Sequence, residues 1–192
     1  MKNTKIICAF PACGKSYLYE NNKDLIILDS DSSSFSWITR KRTKPELQQA
    51  MNGYVHMQES YPTMMAPKGY INSIKDTLIK VKNPEFPNNY IKHIKDNIGK
   101  VDYIFVSTHK EVRDALKEAG VSFILVFPEK DLKAEWIGRC FLRGSDEKFC
   151  NLIAQNWDNW IKEMEEESKY CDFYKLKHGE YLSDAINNMK GF

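Results

Sequence analysis

The chain lacks every common metal-ligand pattern: its five cysteines and four histidines form no Cys-x-x-Cys pair and no His-Glu-x-x-His motif. That argues against a structural zinc site or a zinc-dependent hydrolase. A Gly-x-Ser-x-Gly elbow is also missing, which removes the usual hydrolase route to serine catalysis. No apolar run approaches the roughly 18 residues of a membrane helix, so no membrane partner is expected. The N-terminus has no signal-like apolar segment, and Cys8, Cys13, Cys140, Cys150 and Cys171 are odd in number. Together these predict a reducing, cytoplasmic compartment. Charge of one sign is lacking too, since 28 basic residues face 26 acidic ones for a net +2. A total so balanced gives no reason to expect nucleic acid as a partner over small anions. There is no internal repeat and no low-complexity segment, and 42% hydrophobic residues suffice for the core of one domain over residues 1–192.

What is present is Ala9-Phe10-Pro11-Ala12-Cys13-Gly14-Lys15-Ser16, between the apolar run Lys5-Ile6-Ile7-Cys8 and a helix-like run. It reads as a phosphate-binding loop of Walker A type, with Ala9 where Gly is usual. In that reading the segment from Pro11 to Tyr17 wraps a nucleotide phosphate and Gly14 allows close backbone approach. Lys15 then reaches the β- and γ-phosphates, and the Ser16 hydroxyl goes to Mg²⁺. Cys13, a thiol at a helix start beside Lys15, is a candidate for redox sensitivity, weighed against a position that merely tolerates a small side chain.

Apolar runs at residues 4–10, 25–28, 103–106, 123–127 and 171–176 alternate with helical patterns at 14–21, 88–99, 109–119, 131–142, 146–167 and 179–189. This alternation predicts an α/β domain with a mostly parallel sheet covered by helices on both faces. Residues 32–100 are too long for a plain connection and are expected to form an acceptor-binding insert. Trp157 and Trp160 read as core anchors on an apolar helix stripe, and Glu163, Glu165, Glu166 and Glu167 as a solvated face.

Asp29-Ser30-Asp31 follows the second strand, at the sheet end where open α/β folds bind ligands. Asp31 is a candidate for orienting or deprotonating an acceptor and Asp29 for Mg²⁺ or its water shell, with helix capping as the alternative for each. After the third strand comes Ser107-Thr108-His109 where an acidic residue is common, and His109 reads more readily as a cap than as a base. Arg139 and Arg143, four residues apart, are suited to a transferring phosphoryl group, with residues 139–150 as a lid hinged at Gly144 and Ser145. A surface ion-pair face with Asp131, Glu135 and Glu147 is the other reading. Arg40, Lys41 and Arg42 are candidates to hold an acceptor phosphate or form a solvated run. Tyr54, His56, Tyr61 and Met64 are candidates to line a base pocket or simply to pack.

In the order of these parts the chain resembles the small phosphate-loop kinases, the group of nucleoside monophosphate, shikimate and gluconate kinases. The resemblance rests on Ala9 through Ser16, on Asp29-Ser30-Asp31, and on Arg139 through Arg143 before a long helix. It implies a three-layer fold of the phosphate-loop NTPase type, a five-stranded sheet of order 2-3-1-4-5, and ATP with Mg²⁺ as cofactors. It further implies acceptor contacts at Asp31 and Arg40, an ATP clamp at Arg139 and Arg143, and adenine contacts at the turn within Tyr174 to Asp184, with loop packing as the alternative for that turn. The expected function is a kinase for a small acceptor, foremost a nucleotide or nucleoside. A regulatory ATP-binding protein with weak hydrolysis and a polynucleotide 5′-end kinase are the alternatives. A homodimer is compatible with the sequence.

Overall fold

Near-continuous apolar runs become the interior strands of a parallel sheet in the computed structural model, which describes residues 2–60, 74 and 77–189. The sheet strands are β1 (Lys5–Ala9), β2 (Ile27–Asp29), β5 (Tyr103–Val106), β6 (Ile124–Pro128) and β7 (Asp172–Leu176). Helices α1 (Lys15–Asn21), α4 (Asn88–Asn97), α5 (Lys110–Glu118), α6 (Lys133–Leu142), α7 (Glu147–Glu167) and α8 (Leu182–Asn188) flank them. The remaining elements are α2 (Ser33–Ser36), β3 (Trp37–Arg40), α3 (Lys44–Ser60) and β4 (Ile79–Lys82). Two compact units result, residues 1–32 with 87–192 and residues 33–86.

In the first unit the sheet runs β2-β5-β1-β6-β7 with every neighbouring pair parallel. This differs from the expected 2-3-1-4-5 because β3 and β4, which the apolar runs did not reveal, intervene in the chain and pair outside the sheet. Counted without them, the parallel strands succeed one another 2-3-1-4-5. Ile7, Cys8, Ala9, Ile104, Phe105, Val106, Leu125, Val126 and Phe127 are fully buried, as expected where both sheet faces are covered. Burial of each large side chain contributes about 1.5–3 kcal/mol. Trp157 is one such anchor: its ring meets Phe10 edge-on at 5.7 Å and its indole N–H donates to the Lys130 carbonyl at 2.8 Å.

The acidic end of α7 departs from the sequence reading. Glu167 is buried, and with Glu163 it grips the buried Arg113 of α5 at 2.7 and 2.6 Å, while Lys117 reaches Glu167 at 2.6 Å. Glu167 lies three residues past Met164 on the buried stripe, so it turns inward and needs a cationic partner.

The second unit is an antiparallel pair, β3 with β4, together with α2 and α3; Trp37 faces Lys82 and Thr39 faces Lys80. It ends at Phe86 and not at residue 100, because Tyr90, Ile91 and Ile94 of α4 are buried in the first unit. Thr43-Lys44-Pro45-Glu46 opens α3: the Thr43 amide and hydroxyl both donate to Glu46 at 2.8 Å, and Arg40 donates to both carboxylate oxygens at 2.7 and 2.8 Å. These bonds hold the Glu46 carboxyl down at about 2. Since the folded value lies below the ordinary one, the stabilisation is complete near neutral pH and drains away as pH falls from the ordinary carboxylate range toward about 2. Glu46→Gln is expected to flatten the acid limb of a stability-against-pH curve, measured by circular dichroism; an unchanged limb would deny the pair that role.

Candidate phosphate-binding site

The site begins where β1 ends. Phe10 donates its amide to Val126, which carries the ladder one residue past Ala9, and the chain then curls through Ala12 at φ 61° and Gly14 at φ 97°. Both are left-handed, a conformation costly for Ala and easy for Gly. The curl is fixed from outside: the Trp136 indole N–H donates to the Pro11 carbonyl at 2.7 Å, and the Leu182 amide donates to the Cys13 carbonyl at 2.8 Å. A Cβ on Gly14 would meet the Tyr181 ring at 3.4 Å, an ordinary contact, so it is the φ of 97° that constrains this position.

Within the loop the Lys15 ammonium donates to the Ala9 carbonyl at 2.6 Å and to the Phe10 carbonyl at 3.3 Å. The Ser16 hydroxyl donates to Asp29 Oδ2 at 3.0 Å, joining the start of α1 to the end of β2. The segment after β2 is held in turn, since Ser30 donates its amide to Phe105 at 2.9 Å and accepts from the Tyr90 hydroxyl at 2.6 Å. Burial pushes the Tyr90 phenol well above its ordinary range, so it stays a proton donor. Asp31 is exposed, and its charge acts on both Tyr90 and His109.

A polar cluster forms at the ends of β2 and β5. Ser107 donates to Ser32 at 3.0 Å, and the His109 Nδ1 lies 3.2 Å from Ser107 and 3.3 Å from Ser32. His109 sits at the N-cap position of α5, but its ring caps no helix amide. Partial burial holds its imidazole below the usual histidine range, which favours the neutral form. The charges of Glu111, Asp31, Arg113 and Lys15 also act on it, behind burial. Spacing in the sequence gave no sign that Ser32 and Ser107 would meet.

The two arginines of the expected lid part company. Arg139 is 8% exposed, its guanidinium lies 4.2 Å from the Trp136 ring and 4.0 Å from the Tyr181 ring, and it donates to Glu135 and to the Glu180 carbonyl. With those donors occupied, it is a strut behind the loop and not an outstretched clamp. Arg143, one turn on, is exposed, donates to Ser145 at 2.7 Å and lies over Phe149. Residues 139–150 form a helix end, a tight turn and a helix start: the Gly144 and Ser145 amides bond back to Phe141 and Cys140, and Asp146 caps Phe149. The turn at Lys177–Tyr181 is tied to the same strut, with His178 and the Gly179 amide both on Glu135.

Other expectations are corrected by burial. Cys13 is fully buried, which shields its thiol from solvent oxidants. Tyr17 lies in the first turn of α1 and is 70% exposed. Arg40 lies in the second unit with its donors on Glu46 and the Lys41 carbonyl, a structural role where acceptor binding was expected. Tyr61 and Met64 fall outside the described residues, as does the side chain of Tyr54.

Ser16 and Asp29 offer hard oxygen donors within one hydrogen bond of each other, the donor type Mg²⁺ takes when phosphate and water complete its shell. Among the described residues no three His, Cys, Asp or Glu side chains gather around one point. A cavity of about 680 Å³ lined by Lys117, Phe123, Lys169 and Cys171 opens near the amino ends of β6 and β7, and Lys15, Ser16, Asp29, Asp31 and His109 are not among its lining residues. None of the helices among the described residues is long and apolar enough to cross a membrane. No family model and no curated protein matches the chain.

Proposed function

We propose that this protein is a Mg²⁺-dependent phosphotransferase that moves the γ-phosphate of ATP onto a small acceptor, a nucleotide or nucleoside first among them. The observation that carries the reading is the Ser16–Asp29 pair beside a lysine folded back on its own loop. A phosphate entering the loop gives the Lys15 ammonium a better partner than the two carbonyls it now holds. Mg²⁺, when bound by Ser16 and Asp29, supplies positive charge at the phosphate oxygens. Asp31 orients the acceptor; the acceptor's oxygen bonds to the γ-phosphorus, the bond to the β-phosphate oxygen breaks, and ADP leaves with that electron pair. A hydroxyl proton passes to Asp31. Arg143 is the exposed cation offered to the phosphates, while Arg139 keeps the loop in shape.

A regulatory ATP-binding protein is the second reading, favoured by one observation: Ser107 is engaged with Ser32 and His109 at the strand end where an acid is common.

Titration calorimetry with ATP tests the metal site. Asp29→Asn is expected to leave metal-free ATP binding within about threefold and to weaken the Mg²⁺-dependent part by about tenfold or more. An unchanged metal dependence would put Mg²⁺ elsewhere, and wild-type protein that binds no ATP would end the reading.

A further inference from the structure

The balanced total charge hides a division between the two units. Residues 33–86 contain eight Lys or Arg against four Asp or Glu, and the rest of the chain has the opposite sign of excess. Within that basic unit Arg40 pairs with Glu46, and Arg42 donates to the carbonyls of Ile74 and Thr77 at 2.9 and 3.2 Å. Lys41, Lys80 and Lys82 are exposed.

The β3–β4 register arranges two of these around an aromatic ring. Trp37 opposes Lys82 and Thr39 opposes Lys80, and side chains two apart on a strand share a face, so all four project from one side of the hairpin. Trp37 is 46% exposed, whereas Trp136 and Trp157 are fully buried. The Lys80 ammonium lies 5.5 Å from its ring centroid. An exposed indole flanked by lysines on a two-stranded hairpin combines a stacking platform for a base with cations for the adjoining phosphates.

We propose that this hairpin face binds single-stranded nucleic acid. The ring stacks a base, and Lys80, Lys82 and Lys41 neutralise the adjoining phosphates. The proposal stands apart from phosphate transfer and survives if that reading fails, because none of its residues belongs to the loop.

Anisotropy of a fluorescein-labelled oligothymidylate, titrated with the full chain across a salt series starting near 50 mM, tests it. Three phosphate contacts predict a log–log salt slope of about −2 for a single strand. Trp37→Ala is expected to weaken binding by about fivefold or more with the slope unchanged, as loss of stacking requires. The double variant Lys80→Gln/Lys82→Gln, with an unchanged melting transition as its folding check, is expected to reduce the slope by about 1.4, while Lys162→Gln on the outer face of α7 leaves it as it was. No binding at the lowest salt, equal binding by wild type and Trp37→Ala, or an unchanged slope in the lysine variant would each overturn the proposal. So would competition by polyglutamate as effective as by unlabelled oligonucleotide, which shows attraction to any polyanion. A sedimentation change from dimer to monomer in Trp37→Ala, without oligonucleotide binding by wild type, would assign the face to a second copy.

Discussion

Lys15→Ala is expected to lower acceptor-dependent ADP release by on the order of a hundred- to a thousandfold, the cost of removing one preorganised charge from a phosphoryl-transfer site. The fold is expected to survive, because the lost bonds are two from an ammonium to the Ala9 and Phe10 carbonyls, and neither the Trp136–Pro11 nor the Leu182–Cys13 anchor is touched. An intact melting transition alongside lost turnover is the expected pair of results. Lys15→Arg separates charge from shape: a planar guanidinium cannot occupy the compact position between two carbonyls, so it should rescue little. Full turnover in Lys15→Ala would show that the loop is a structural turn.

The second large effect lies behind the site. Arg113→Ala should destabilise the protein by about 3–5 kcal/mol, because it leaves Glu167 in the interior with Lys117 as its one cationic partner among the described residues. For a chain of this length that lowers the melting midpoint by roughly 10 °C. Arg113 also donates to the Thr108 carbonyl, so its loss loosens Ser107-Thr108-His109 as well as the core. Replacing the pair together, Arg113→Met with Glu167→Leu, should recover much of the stability, since buried ion pairs gain little over well-packed apolar groups. A single variant that melts like wild type would show that solvent reaches Glu167.

The loop was legible because its signals are local: an apolar run, a small-residue turn and Gly14-Lys15-Ser16 lie within about a dozen residues, and backbone geometry follows from such sequences directly. Asp29 was legible for the same reason, as the residue that ends a strand. The hairpin was harder to read. Ile79-Lys80-Val81-Lys82 alternates with the period of a strand, but four residues carry little weight and the partner, Trp37 to Arg40, lies about forty positions away in the same long insert. Arg139 and Arg143 look equivalent from a spacing of four; only the approach of Trp136, Tyr181 and Glu135 from separate positions decides that one is buried and the other exposed. The Glu167–Arg113 pair spans 54 positions, yet its cause was in the sequence, because Glu167 continues the stripe of Ile153, Trp157, Ile161 and Met164. A charged residue on a buried stripe announces a buried partner.

The most direct measurement is transfer of labelled γ-phosphate from ATP, with Mg²⁺, to a panel of nucleosides, nucleoside monophosphates, small hydroxylated metabolites and a 5′-hydroxyl oligonucleotide. A phosphotransferase of the kind proposed labels one class of acceptor, needs the metal, and loses the label in Lys15→Ala. ATP bound at the loop with no label on any acceptor would contradict transfer and leave nucleotide binding as the protein's activity.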